Sequence, residues 1–500
     1  MTLLAITAFG RLAEHAGVLA VTLLAAISLV AGARPRLRAA AMLAALALTP
    51  VLLGAAVWNS PQVRPLRHHT LYVAAGIGAA LLLVVLLAVL FSQRRQAVAL
   101  LALAALPFRL PISVGGQTFN LLVPLYLVIA AGVLSVAVRA LRGREHEEEP
   151  AVGTLEGALA AVVLLYGIQS SYSHDFMKAL ENIAFFYAPF ALLFVLLRRV
   201  TYSERLLRGC LGVLGGLALC FAAIGFYEYS RRELLLNPKV IAANMLEPYF
   251  RVNSLFFDPN IYGRFLALVM LALAAAMLWS TRRRLVVGAM VMLAVLWAGL
   301  MTTISQSSIV ALLVGLAVLA ALRFNTRRTV AFSGALVAAG VAFLLLAGSS
   351  VHFDLGSAKA ADSSTSGRYT LMRGGLNLFT DRPLEGYGPG SFAREYRQRQ
   401  RSSNESAVSA SHTTPITVAA EQGVLGLFAY LVLLGTAFAR LFGPDVRRTA
   451  ARAAIAACFT ALVLHTMLYA DFLEDPVLWA LLGIGTALAA ARSQPHTAEL

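Results

Sequence analysis

Apolar residues in this chain come in long blocks separated by short polar stretches. Runs of hydrophobic character lie near 16–32, 39–58, 70–91, 97–111, 119–138, 153–170, 178–197, 208–227, 259–280, 285–302, 306–322, 329–347, 416–440, 452–470 and 475–491. An apolar helix of about 20 residues crosses the roughly 30 Å hydrocarbon core of a bilayer. A membrane β-barrel would instead read as short alternating segments of about 10 residues. The expected fold is therefore all-α: a polytopic transmembrane bundle of about 12–15 spans. The short run at 97–111 and the tight turn near Thr302–Gln306 set the spread.

The polar interruptions are not random. Arg34, Arg36 and Arg38, then Arg94 and Arg95, then Arg139, Arg142 and Arg144 sit in loops on one side of an alternating topology. Arg198 and Arg199, Arg282–Arg284, Arg323, Arg327 and Arg328, and Arg447 and Arg448 share that side. Arginine-rich short loops stay in the cytoplasm, and long translocated loops are exempt. The opposite loops are poor in Lys and Arg except for 228–258 and 348–415. The second holds Lys359 and Arg368, Arg373, Arg382, Arg394, Arg397, Arg399 and Arg401. The chain divides accordingly: N-terminal spans over 1–227, central spans with an external loop at 228–258 over 228–347, a large external loop at 348–415, and C-terminal spans over 416–500.

Composition agrees. The chain is 59% hydrophobic and 13% charged, against roughly a quarter charged in soluble domains. The net charge of +16 sits mostly in loops beside spans, which points to membrane lipids and gives no reason to expect nucleic acid. Only Lys178, Lys239 and Lys359 are lysines, an arginine bias of the kind a GC-rich genome produces. Cys210, Cys220 and Cys458 all fall in apolar runs, with neither disulfide nor zinc spacing. The start of the chain lacks the basic opening and small-residue cleavage site of a cleavable signal.

The loop 348–415 carries the chemistry. "GRYTLMRGGLNLF" spaces Tyr369, Met372, Leu376 and Phe379 as a helical stripe, with Arg368 and Arg373 flanking it and a glycine pair weakening it. "DRPLEGYGPGSF" is turn-rich, and Gly386, Gly388 and Gly390 allow close backbone approach. Ser391 is placed to cap a short basic helix, "FAREYRQRQR". Thr414 and Pro415 are the N-cap and first-turn proline of the next span, beside His412 and Thr413. Helix N-termini and arginine forks both favour phosphate oxygens. The competing reading is a solvated basic face against anionic headgroups.

Together "RYTLMRGGLNLFTDRPLEGYGPGSF" and "HTTPITVAAEQGVLGLFAYL" resemble the signature region of the O-antigen ligase and polymerase superfamily. The motif positions are Arg368; Asp381, Pro383, Leu384, Gly386, Gly388, Gly390 and Phe392; and His412, Glu421, Gly423 and Gly426. Upstream, "RVNSLFFDPNIYGRFLAL" is similar to the family's arginine-led D-P-N entry into a span. The likeness covers roughly 250–440. Two positions depart from it: Thr413 stands where an asparagine is usual, and Gln306 where many members carry arginine.

The resemblance implies a GT-C-like glycosyltransferase of the bacterial inner membrane, acting on the periplasmic face without a metal or other cofactor. It would pass a glycan from undecaprenyl pyrophosphate to a lipid- or glycan-linked acceptor. Arg251 and Arg368 are the candidate pyrophosphate cations, supported by Arg373 and Arg382. Gly386, Gly388, Gly390, Thr413 and Thr414 are candidate substrate contacts, and His412 the candidate base or acceptor-positioning group. Glu421 lies about 180° around a straight helix from His412, so a structural role is expected, paired with an arginine or with backbone amides. Asp258 and Asn260 read as a helix start. Asp471, Glu474 and Asp475 read as a solvated acidic turn, with orienting arginines or contacting acceptor hydroxyls as the alternative, and His68, His69 and His174 as surface residues.

Alternatives stay open. The acceptor could define a ligase, a polymerase of surface polysaccharide, or a protein O-oligosaccharyltransferase. A lipid-linked-glycan flippase would predict inverted repeats and broken helices, and no clear halves are visible. A shape-determining peptidoglycan polymerase fits the glycine and histidine signature less well.

Overall fold

A computed structural model describes residues 2–32, 34–57, 70–114, 117–143, 151–235, 249–331, 334, 368–400, 411, 413–469 and 472–491. The described chain is a helical bundle with one two-stranded hairpin. Among the described residues, eleven helices are long and apolar enough to cross a membrane. They are α1 (Thr2–Val30), α2 (Pro35–Val57), α3 (Thr70–Gln93), α5 (Val123–Leu141), the composite Phe176–Arg198, α9 (Glu204–Arg231), α10 (Pro259–Trp279), α11 (Arg283–Thr303), α12 (Gln306–Arg323), α15 (Thr414–Leu441) and α16 (Ala450–Leu468). Two shorter apolar helices, α6 (Thr154–Ser170) and α17 (Pro476–Ala490), pack among them.

The run expected at 97–111 is not a span. Its helix, α4, stops at Ala97–Ala105. Pro107 and Pro111 each lack an amide donor, so the chain cannot continue the i to i−4 ladder through both. It turns instead into the antiparallel pair β1 (Leu110–Val114) and β2 (Gln117–Leu121). The expected run at 119–138 is displaced for the same reason, to Val123–Leu141. The run at 329–347 lies almost entirely outside the described residues.

Hydrogen bonds show which helix ends lie together. At one end Arg198 reaches Glu156 (2.9 Å), Arg323 donates to the Leu278 carbonyl (3.0 Å), and Trp279 donates to the Arg447 carbonyl (2.9 Å). These are the arginine-rich turns. The opposite end holds the starts of α10, α12, α15 and α17 and the end of α16. The composite Phe176–Arg198 is the most enclosed of these helices, while α3 is almost wholly exposed on the outside of the bundle. Inside the composite, a π-turn at Ile183–Tyr187 leaves the Phe185 carbonyl accepting from the Tyr126 hydroxyl (2.8 Å).

Candidate active site

The loop between Asp381 and Phe392 is pinned to the start of α15. That helix is broken at Gly423, whose φ is +65°. A lipid-embedded break is tolerable only if other protein groups satisfy the freed backbone. Here the loop does so. Tyr387 N donates to the Ala420 carbonyl (3.2 Å), Gly388 N to the Glu421 carbonyl (2.7 Å), and Val424 N to the Pro383 carbonyl (2.7 Å). From α6, Gln169 Nε2 donates to the Gln422 carbonyl (3.0 Å).

The Glu421 carboxylate completes this clamp. It accepts from Gly390 N (2.9 Å) in the loop and from Phe392 N (3.0 Å), the first amide of α14 (Phe392–Gln400). A charged acceptor on a helix N-terminus is favoured by both hydrogen bonding and the dipole. Of the two partners expected for Glu421, backbone amides are the ones present. The same geometry corrects the Ser391 expectation: its hydroxyl donates to the Gly388 carbonyl (2.5 Å), and Glu421 supplies the cap.

The three glycines that the sequence offered as candidate substrate contacts use their amides inside the protein. Their amides are spent on Arg382 O, Glu421 O and Glu421 Oε2. All three residues are buried with positive φ. A Cβ on Gly388 would run into the Ser173 backbone, and one on Gly423 into the Leu384 carbonyl. Their backbone conformations and close contacts already demand glycine here.

Polar side chains lock the outer edge of the loop. His174 Nδ1 lies 2.8 Å from Glu395 and Nε2 lies 3.3 Å from Arg382. Arginine can only donate, so Nε2 accepts and Nδ1–H donates to the carboxylate. Arg382 also stacks over the Tyr387 ring at 4.8 Å. Arg399 binds Asp381 and the Tyr387 hydroxyl. Burial opposes the Arg399 charge, but those two partners raise its pKa overall. Burial and the nearby Glu385 carboxylate push the Tyr172 phenol up, leaving it protonated to donate to the Glu385 carbonyl (2.8 Å). His174 is thus a bridge in this lock, not the surface residue the sequence suggested.

The helix carrying Arg368 and Arg373, α13 (Arg368–Asp381), is continuous through its glycine pair. Its expected stripe faces outward: Tyr369, Met372 and Leu376 are exposed. The inward face is Leu371, Gly374, Gly375 and Leu378. A Cβ on Gly374 would strike the Tyr396 ring, and one on Gly375 would strike Ile416 and Phe392. The glycines therefore bring α13 close to the start of α15. Arg373 is exposed, and Arg368 is the first residue of the helix.

A second assembly lies where α10, α12, α15 and α16 meet. Arg251 donates through Nε to the Thr303 carbonyl (3.0 Å) and through Nη2 to Asn260 Oδ1 (3.1 Å). Asn260 Oδ1 also accepts from Ser305 Oγ (2.9 Å), and Ser305 Oγ meets Ser308 Oγ (2.8 Å). Ser307 and Ser308 each lie 3.3 Å from His465 Nε2. Beyond His465, the Thr466 and Met467 carbonyls accept from Thr414 (3.1 Å) and Thr413 (3.2 Å). A buried polar layer thus runs from Arg251 to the first turn of α15. Asp258 starts α10 by accepting from Asn260 N (2.6 Å). Helix α15 begins at Thr414 with Thr413 as its N-cap, one residue earlier than read. His412 and Asp471 lie outside the described residues.

Sequence reasoning missed Ser305, Ser307, Ser308 and His465. The only signal was the polar cluster "TISQSS" between two apolar runs. Asp475 is buried rather than solvated: it caps α17 and pairs with Arg264 at 2.7 Å, the arginine-orienting alternative of the sequence reading.

No curated protein matches the chain. A family model does: residues 291–431 match the model described as O-antigen ligase, a window from mid-α11 through the glycine loop to Glu421 and beyond. Residues 291–431 of this polytopic helical membrane protein are thus similar to the O-antigen ligase family model.

Proposed function

We propose that the protein transfers a glycan from undecaprenyl pyrophosphate to an acceptor hydroxyl at the outer face of the bacterial inner membrane. The family supports a ligase or polymerase type of activity. The observation that carries the finer reading is the buried layer that fixes Arg251 against Asn260 and ties it to the start of α15.

In the reaction the acceptor oxygen attacks the anomeric carbon of the donor glycan. The bond from that carbon to the pyrophosphate oxygen breaks, and the pyrophosphate leaves on its lipid. The acceptor proton passes to His412, whose neutral imidazole suits a base near neutral pH. Arg251 and Arg368 neutralise the charge growing on the leaving group, with Arg373 and Arg382 nearby in sequence. Fixed cations aimed at developing charge are usually the largest catalytic term. No divalent metal is required in this scheme. The Glu421 clamp holds α13 and α14 in place and touches no substrate.

The ligase reading is preferred, since the matching family is described by that activity. Surface glycans extracted from a deletion strain separate it from the polymerase: an uncapped core or anchor means ligase, and single repeat units mean polymerase. With purified protein, donor and acceptor, His412→Ala and Arg368→Ala are expected to lose transfer while expressing normally. Full turnover by both would overturn their roles.

A further inference from the structure

The loop that carries Arg251 is closed at its neck by a side chain that the reaction above does not use. Glu228, in the last turn of α9, is fully buried. Its Oε1 accepts from Leu235 N (3.0 Å), where the chain leaves α9 for the loop. Its Oε2 accepts from Ser254 N (2.8 Å), where the chain returns. Among the described residues it has no ionic partner. A buried carboxylate without a cation is costly unless its oxygens are hydrogen-bonded. Here each oxygen takes an amide, which glutamine, with one acceptor oxygen, could not reproduce.

The returning segment is fixed on both sides of Arg251. Val252 N donates to the Thr302 carbonyl (3.2 Å), beside the Thr303 carbonyl that accepts from Arg251 Nε. Three residues after Arg251, Ser254 has a φ of +50°, a left-handed conformation that non-glycine residues hold only under constraint. Two bonds to α9 supply the constraint: the amide to Glu228, and the hydroxyl to the Phe221 carbonyl (2.9 Å). The same carbonyl accepts from the Tyr262 hydroxyl of α10 (3.1 Å), so both helices meet the segment at one point. A cation–π contact closes the neck further. The Arg232 guanidinium lies 4.4 Å from the Tyr229 ring and 5.5 Å from that of Phe250, the residue before Arg251.

We infer that Glu228 is a positioning residue for the transfer reaction. Its carboxylate fixes the Ser254 backbone and, together with Thr302, Thr303 and Asn260, sets where the Arg251 guanidinium stands. The inference rests on the role proposed above for Arg251. A cation aimed at developing charge works only in place, and a displacement of about 1 Å costs on the order of 10²-fold in rate.

The test is a double-mutant cycle. Glycan transfer from undecaprenyl pyrophosphate is measured with purified full-length protein for wild type, Glu228→Gln, Arg251→Ala and the double variant. Glu228→Gln is expected to lower kcat about tenfold and leave the KM for donor nearly unchanged. In the Arg251→Ala background the same change is expected to alter kcat less than about twofold, because residues acting as one unit are not additive. A purely structural role would cost the same factor in both backgrounds, and that result overturns the inference. A wild-type kcat in Glu228→Gln also overturns it. Should Glu228→Gln fail to fold, Ser254→Ala cuts the second tie to α9 instead. Its several-fold loss of kcat is expected to vanish beside Arg251→Ala, and an additive loss there overturns the inference. Should Arg251→Ala transfer at the full rate, the role of Arg251 fails and this inference with it. Should Arg251→Ala lose transfer while Glu228→Gln and Ser254→Ala keep it, the positioning role alone is wrong.

Discussion

The Glu421 clamp and the Arg251–His465 layer sit on related helices and are built in opposite ways. In the clamp almost every contact is backbone to backbone or backbone to carboxylate, at 2.7–3.2 Å. In the layer the contacts run through side chains, and the serine–histidine links stretch to 3.3 Å. Backbone contacts fix the shape of a loop whatever its side chains. Side-chain contacts hold a cation and hydroxyls that can still exchange partners. The clamp is thus architecture, and the layer is where the proposed mechanism places charge handling.

Breaking the layer is expected to have the largest effect on activity. Arg251→Ala removes a fixed cation and should lower the transfer rate about 100-fold or more, far more than its lost hydrogen bonds to Thr303 and Asn260 lower the melting temperature in detergent. Breaking the clamp should act on stability first. Glu421→Ala strands two buried amides, at about 1–3 kcal/mol each, and a thermal shift should register the loss. Glu421→Gln retains an acceptor and should recover part of it. His465→Ala sharpens the contrast: it should cost about 1 kcal/mol, read as a several-fold fall in kcat, and His465→Gln should restore much of that. The smallest effect belongs to Asp258→Ala, about 1 kcal/mol of helix-cap stability, with the rate constants nearly unchanged. A clamp variant that lost catalysis while keeping its melting temperature would erase the distinction between the two regions.

The spans were legible because apolar period and arginine placement are local properties. So was the start of α10, because Asp258–Pro259 carries its own capping chemistry. The loop motif was legible by resemblance, but its mechanics were not. Gly374 and Gly375 look like helix breakers in sequence and are instead the packing face of α13, which depends on Tyr396 and Ile416 lying opposite. Gly386, Gly388 and Gly390 read in sequence only as turn glycines and candidate contacts; that Glu421, about 30 residues on, takes the amides of Gly390 and Phe392 is visible only in the fold. His465 sits in an apolar run and carries no signal until Ser307 and Ser308 face it across 157 residues or more. The span wrongly expected at 97–111 has a local cause that was readable: two prolines four residues apart.

The central claim is metal-free transfer driven by a fixed arginine. Its most direct test is the rate of glycan transfer from undecaprenyl pyrophosphate by purified protein in EDTA, wild type beside Arg251→Ala. The account predicts full transfer by the wild type and a loss of about 100-fold or more in the variant. Transfer abolished by EDTA in the wild type, or undiminished in a folded Arg251→Ala, would contradict it.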